Sequence, residues 1–285
     1  KTLRSSASRR LTFITVSTNV SINRASDRFP HLLQPLDRYR RRRAQLLREQ
    51  LHAQLLQQPA ELLDLRIRHA LLGEQEGAPL VASQYAGIPV INAGDGSHSH
   101  PTQTLTDLLT LKCEKGRLDH LTIGLCGDLI NGRTVHSLLK AMSCFEGNRF
   151  ILISTPELGL PSYVKDILNA SNCEYEEISS LEEALPQLDV LYMTRIQQER
   201  FFNEEEYLRL KGCYQLDEAL LQKAPQDMPV LHPLPRIDEI KKDVDDDPRA
   251  AYFDQVHNGV YIRMAIILAL LDIPDPVTGK KVLEA

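Results

Sequence analysis

From about Val81 onward, short apolar runs alternate with stretches whose apolar residues recur every three or four positions. The runs predict strands at Pro89–Asn92, Leu121–Cys126, Phe150–Ser154, Cys173–Ile178, Val190–Met193 and Pro229–His232. The stretches between them predict helices. Thr102 to Lys112 sets Leu105, Leu108 and Leu109 on one face behind Pro101, a residue suited to a first turn. Thr134 to Phe145 does the same with Val135, Leu138, Leu139 and Met142, and Pro161 opens a third helix carrying Val164, Ile167 and Leu168. Val260 to Leu271 is apolar almost all round and is expected to be buried. Strand and helix alternating in this way make βαβ units, so the expected fold class is α/β, with two domains, each a parallel sheet flanked by helices. Gly116-Arg117-Leu118-Asp119 lies between a helix and the strand that starts a new βαβ run, which puts the domain boundary near residue 116.

The first seventy residues have a different character. They hold 14 basic and 5 acidic side chains, whereas the other 215 hold 19 and 33, so a net charge of -5 conceals a basic segment and an acidic body. Thirteen of those 14 are arginine, including the run Arg40-Arg41-Arg42-Arg43. Three origins fit an Arg-, Ser- and Gln-rich segment: a basic arm for a polyanion, an organelle-targeting presequence, or sequence that has lost its original coding sense. An RNA-binding arm needs aromatic residues for stacking, and only Phe13, Phe29 and Tyr39 are present, so no nucleic-acid partner is expected. Between Gln45 and Ile67 the leucine spacing suggests an amphipathic surface helix interrupted at Pro59. The longest wholly apolar run, Met264 to Leu271, is far short of the roughly 20 residues a bilayer requires, so no membrane span is expected either. Five cysteines without a C-x-x-C pair read as small core residues in a reducing, cytoplasmic setting, with no metal site.

In an open parallel sheet, ligands bind beyond the carboxyl ends of the strands. Directly after the predicted strands come Gly94-Asp95-Gly96-Ser97-His98-Ser99-His100-Pro101-Thr102-Gln103, then Gly127-Asp128 with Gly132-Arg133-Thr134, then Thr194-Arg195-Ile196-Gln197, then Pro233-Leu234-Pro235-Arg236. One rim thus receives His100, Gln103 and three arginines. Guanidinium forks pair with carboxylate or phosphate, and a helix opening at Pro101 offers backbone N–H groups to an anion, so a small, multiply anionic substrate is expected. The chain has no Walker loop and no G-x-G-x-x-G turn, and no cofactor is expected.

In order and spacing, Gly94–Gln103, Gly127–Ser137, Tyr192–Gln197 and His232–Ile237 resemble the aspartate carbamoyltransferase family, over about residues 75 to 275. Ornithine-specific relatives usually carry Cys at the positions of Thr102 and Pro233, so the resemblance favours aspartate. It implies transfer of the carbamoyl group from carbamoyl phosphate to L-aspartate, without a covalent adduct or metal, in a homotrimer that can carry regulatory chains. His100 is then expected to donate to the carbonyl oxygen as it becomes an oxyanion, and Gln103 with the backbone at Leu234 and Pro235 to hold the carbamoyl amide. Arg133 and Arg195, with Gln197, match the grip on the aspartate carboxylates, and Arg68 matches a residue that polarises the carbamoyl oxygen. The charged stretch from Glu199 to Gly212 corresponds to a loop that closes over aspartate, its run Glu204-Glu205-Glu206 having no apolar face to bury. Asp243 to Asp247 reads as an exposed loop. The division expected is residues 1–70 as a divergent segment, 71–116 as the rest of a carbamoyl-phosphate domain, 117–270 as an aspartate domain and 271–285 as a tail.

The resemblance fails in three places near the start. The family's Ser-Thr-Arg-Thr-Arg phosphate grip has only an echo in Ser5–Phe13, with Arg9 and Arg10; the lysine-bearing intersubunit loop has no counterpart, no lysine occurring between Lys1 and Lys112; and Arg-His-Pro appears as Arg68-His69-Ala70. About thirty residues of the family's first domain also have no match, which suggests a truncated or scrambled beginning. Two expectations therefore stand side by side: an active carbamoyltransferase, or an inactive relative or defective copy that keeps its aspartate grip. Carbamoyl transfer to another amino acid such as ornithine is a third, weaker alternative.

Overall fold

The computed structural model describes residues 70–73, 76–198, 201, 203–275 and 279–281. Arg68, Arg9, Arg10, the Ser5–Phe13 segment and the Gln45–Ile67 helix all lie outside the described residues.

Two parallel sheets organise the described chain. The smaller pairs β1 (Ala70–Gly73) with β2 (Ile91–Asp95). Helix α1 (Ala78–Tyr85) connects them. The larger contains β3 (Thr122–Cys126), β4 (Arg149–Ile153), β5 (Glu174–Ile178), β6 (Val190–Met193) and β7 (Val230–Leu231), in the order β5-β4-β3-β6-β7. The chain lays down β3, β4 and β5 outward in one direction, then returns to place β6 on the other side of β3. That reversal opens a crevice at the carboxyl ends of β3 and β6, where an open α/β sheet binds its ligands.

Both faces of the larger sheet are covered, which is why its central strands are apolar without interruption. Alternate residues supply two separate cores. Ile123, Leu125, Phe150, Leu152, Val190, Tyr192 and Leu231 face α2 (Pro101–Lys115), α3 (Arg133–Met142), α4 (Ser162–Ala170) and α8 (Tyr252–Leu271). Cys126, Ile151, Ile153, Leu191, Met193 and Val230 face the other way, toward Leu181 and Ala184 of α5 (Leu181–Ala184) and Leu221 of α7 (Glu218–Leu221).

Helix α2 is buried from Pro101 through Leu111 although it contains four threonines and an aspartate. Thr106 and Thr110 remain compatible with burial by donating to the carbonyls of Thr102 (3.0 Å) and Thr106 (2.8 Å) one turn back. Gly116 ends the helix at φ 71, its N–H donating to Lys112 O at 3.0 Å. Helix α8 packs along α2 and so ties the last described helix to the one that begins at the cleft.

Several expectations change. The Glu204 run belongs to a helix, α6 (Glu204–Leu210), capped by Asn203, and this helix does bury an apolar face through Tyr207 and Leu210. Helix α8 begins eight residues before Val260, and its C-terminal half is only half-buried: Ile262, Ile266 and Leu268 are enclosed, while the residues between them are partly open. The stretch Asp243–Asp247 is more than an exposed loop. Val244 is fully buried, Asp245 takes a two-pronged ion pair from Arg236, and Asp247 pairs with Arg249 at 2.8 Å. Cys126 is buried and Cys113, Cys144 and Cys173 partly so, but Cys213 is exposed.

Leu139 is fully buried between α3 and the sheet. Leu139→Ala is expected to cost about 3 kcal/mol of unfolding free energy in a denaturant titration, the transfer and cavity terms together; a loss under about 1 kcal/mol would contradict the packing described.

Candidate functional site

An open cleft of about 690 Å³, solvent included, lies at the reversal between β3 and β6. His100, Gln103, Arg133, Arg195, Gln197, Leu234 and Pro235 all line it, together with Thr134, Thr194 and His232. Seven of the eight residues singled out from sequence thus share one space, and the eighth, Arg68, lies outside the described residues. Arg236 does not join them: both its terminal nitrogens bond Asp245, one at 2.6 Å, and it also donates to Tyr252 Oη at 3.2 Å.

His100 caps α2. Its Nδ1 accepts the Gln103 backbone N–H at 3.3 Å, and its own N–H donates to Ser137 Oγ at 2.8 Å. An Nδ1 that accepts has no proton, so the neutral ring carries its hydrogen on Nε2. Burial, helped by the positive charges of Arg133 and Arg263, lowers the imidazole to about 4 and keeps it neutral at physiological pH. The result is a fixed, uncharged N–H donor at the cleft.

Gln103 directs its Nε2 to Asp107 Oδ1 at 2.8 Å. A carboxylate only accepts, so this contact sets which end of the amide is which and leaves Gln103 Oε1 as an acceptor.

Arg133, the first residue of α3, crosses to the loop after β2, where its Nη1 donates to Gly96 O at 3.2 Å. It passes so close to Gly94 that a Cβ there would lie 3.0 Å from the guanidinium carbon, and Gly94 also sits at φ +127. Only glycine satisfies both conditions.

The loops after β3 and β6 are clipped together by Asp128, which is fully buried. Its Oδ1 accepts from Asn131 N at 3.0 Å and its Oδ2 from Gln197 N at 3.3 Å. A Cβ on Gly127, at φ +120, would fall 2.3 Å from Thr194 O. Arg195 is held in place by this clip, and Gln197 turns its Nε2 to Asn131 O at 3.1 Å.

The loop after β7 folds over the cleft with a cis Leu234–Pro235 bond and Leu234 at φ 44. His232, buried to 1% exposure, holds it. Its Nδ1 accepts Leu234 N–H at 2.8 Å, and its Nε2 therefore donates to Glu239 Oε1 at 2.7 Å. Glu239 Oε2 takes the N–H groups of Ile237 and Asp238, both at 3.0 Å; against its burial, the His232 bond first and backbone N–H groups after it hold the Glu239 carboxyl below the ordinary carboxylate range.

Asp107 and Gln255 were not picked out from sequence, and Gly94 and Asp128 were named there only within the motifs that follow their strands, without a role of their own. Asp107 did leave a trace, as the one charged residue between Pro101 and Leu111.

Fold and cleft together define an α/β protein with an arginine-lined cleft at the switch point of a parallel sheet. Residues 119–270 match the Asp/Orn binding domain, and residues 50–113 the carbamoyl-P binding domain, of aspartate/ornithine carbamoyltransferase. The chain is 60% identical to the aspartate carbamoyltransferase catalytic subunit of Lachnoclostridium phytofermentans over 205 residues, 72% of this chain and 67% of that one. Among solved structures it is similar to the catalytic subunit of M. jannaschii aspartate transcarbamoylase, with 46% identity and a TM-score of 0.65 over 70% of this chain and 65% of that one. The Trypanosoma cruzi aspartate transcarbamoylase gives 38% and 0.65 over 70% and 64%. The chain belongs to the aspartate carbamoyltransferase family, and it spans about two thirds of the length of these relatives.

The neutral His100 makes a pH prediction. Its midpoint in the folded protein, followed by NMR of the ring protons, is expected near 4. Because this lies below the unfolded value, the unfolded chain binds the extra proton first, and this residue's contribution to stability falls as pH drops from about 6.5 toward 4. A midpoint near 6.5 would contradict the buried donor.

Proposed function

We propose that this chain transfers the carbamoyl group of carbamoyl phosphate to the amino group of L-aspartate, releasing N-carbamoyl-L-aspartate and phosphate. One observation carries the proposal: a neutral imidazole donor, an amide acceptor and two guanidinium groups converge on one cleft. Trypanosoma cruzi aspartate transcarbamoylase has been solved with carbamoyl phosphate and aspartate, and with carbamoyl aspartate and phosphate, the two sides of this reaction.

The aspartate nitrogen attacks the carbamoyl carbon, the carbonyl oxygen takes up charge, and the C–O bond to phosphate breaks as the amine passes a proton to the departing phosphate. His100 Nε2–H donates to that oxygen as the charge develops, the kind of preorganised donor that costs no rearrangement in the transition state. Gln103 Oε1 and the carbonyls at Leu234 and Pro235 accept from the carbamoyl NH₂. Arg133 and Arg195 hold the two aspartate carboxylates, and Gln197 lies beside the second. Nothing in this scheme requires a covalent intermediate, so the protein acts through positioning and charge.

Under this proposal, residues 71–116 belong to the carbamoyl-phosphate side and 117–270 to the aspartate side, with Arg68, just ahead of that range, adding to the former. The working form is a cytoplasmic homotrimer able to accept regulatory chains. Among the described residues, no helix is long and apolar enough to cross a membrane.

Steady-state kinetics of variants test the roles. His100→Ala is expected to lower kcat about 10²- to 10³-fold with little change in the aspartate KM, the signature of a bond made in the transition state. Arg133→Ala and Arg195→Ala are expected to raise the aspartate KM roughly 10-fold or more, since each removes a charge-assisted pair from the ground state. Wild-type turnover in His100→Ala would remove that residue from the mechanism. Aspartate binding without turnover by the unaltered chain would make it an inactive relative instead.

A further inference from the structure

We propose that Asp107, which lies behind the cleft wall, is a positioning residue that sets the spacing between the two sides that accept from the carbamoyl amide, Gln103 Oε1 and the Leu234–Pro235 backbone. The inference rests on the carbamoyl-transfer reading and deepens it.

Asp107 is fully buried, on the fourth helical position after Gln103. A single oxygen, Oδ1, accepts two side-chain amides: Gln103 Nε2 at 2.8 Å and Gln255 Nε2 at 2.7 Å. The two glutamines lead to opposite sides of the same pocket. Gln103 presents its remaining Oε1 directly. Gln255 passes the constraint on, its Oε1 accepting His232 N–H at 2.9 Å, and His232 in turn accepts Leu234 N–H at 2.8 Å. Four hydrogen bonds therefore run without a break from Gln103 through Asp107 to the backbone that carries the second acceptor. The other carboxylate oxygen accepts Tyr192 Oη at 3.0 Å, which anchors the hub to β6.

Each donor leaves its partner no choice of orientation. With a carboxylate at the centre, both glutamines must turn nitrogen inward, so Gln103 must turn oxygen outward. If the carboxylate were replaced by an apolar group, both amides would lose that instruction, and Gln103 could flip to offer an NH₂ against the substrate's own NH₂. Two donors facing each other without an acceptor is the costly arrangement. Burial pushes the Asp107 carboxyl up to about 7 against the three donors, and a proton taken up there sits on Oδ2 toward Tyr192, because Oδ1 already accepts both glutamine amides.

Asparagine separates geometry from charge. Its Oδ1 can accept both glutamine amides while its Nδ2–H₂ donates to Tyr192 Oη, so the orientation of Gln103 is retained without a carboxylate. Leucine fills the same volume and gives neither.

The test compares the full chain with Asp107→Leu and Asp107→Asn in steady-state assays, with folding checked by circular dichroism. Asp107→Leu is expected to lower kcat/KM for carbamoyl phosphate about 100-fold while the aspartate KM moves less than about threefold, and Asp107→Asn to recover most of the loss. A general loss of structure would move both substrates together and would not be rescued selectively. If Asp107→Leu does not fold, Gln255→Met removes the bonds to Asp107 and His232 while leaving the Gln103–Asp107 contact in place, and is expected to lower kcat/KM for carbamoyl phosphate at least about 10-fold, again sparing aspartate. An active wild type with an indifferent Asp107→Leu, or an indifferent Gln255→Met where that variant is used, overturns this inference alone. A folded but silent wild type overturns the carbamoyl-transfer reading beneath it.

Discussion

A carboxylate removed from water is stable only when its oxygens are fully supplied with donors, and Asp107 obtains its three from Gln103, Gln255 and Tyr192. These belong to α2, α8 and β6, so satisfying one buried charge fixes the early helix, the last helix and a central strand of the larger sheet relative to one another. The surrounding apolar core, with Leu105, Leu109, Tyr192 and Ile262, supplies most of the burial, but burial has no direction. The hydrogen bonds at Asp107 supply direction, and they do so immediately behind the cleft.

The cleft itself follows from connectivity. Because β6 returns to lie beside β3, the loops leaving those two strands diverge and leave a crevice. Two glycines let the crevice be furnished closely: Gly127 allows the β3 loop to touch Thr194, and Gly94 allows Arg133 to lie across the loop after β2. Asp128 then locks the β3 and β6 loops together. Rigid elements and their immediate ends, rather than long loops, thus hold His100, Arg133 and Arg195.

Much of this could be read from sequence, because period-two and period-three-to-four patterns survive in strands and helices whose faces pack against a core. The six strands expected from Pro89 to His232 all occur, Val190–Met193 with both ends unchanged and the others with ends shifted by at most three residues. Position after a strand end also gathered His100, Gln103, Arg133, Arg195 and Gln197, which line one cleft. What escaped was information that sequence order does not carry. The helix Glu204–Leu210 was hidden because three glutamates mask the pair Tyr207 and Leu210 that anchors it. Arg236 stands after a strand end like the others, yet Asp245, nine residues on, claims its guanidinium. Asp107 and Gln255 meet across 148 positions, and no local pattern announces such a pair.

The central claim, that this cleft moves a carbamoyl group onto aspartate, is tested most directly by incubating the purified chain, made in a host lacking its own enzyme, with ¹³C-carbamoyl phosphate and L-aspartate. The carbon signal is then followed by NMR. Conversion to the ureido carbon of N-carbamoyl-L-aspartate, well above the uncatalysed rate, is the predicted result. A folded protein that leaves the carbamoyl phosphate signal decaying only at its spontaneous rate would contradict it.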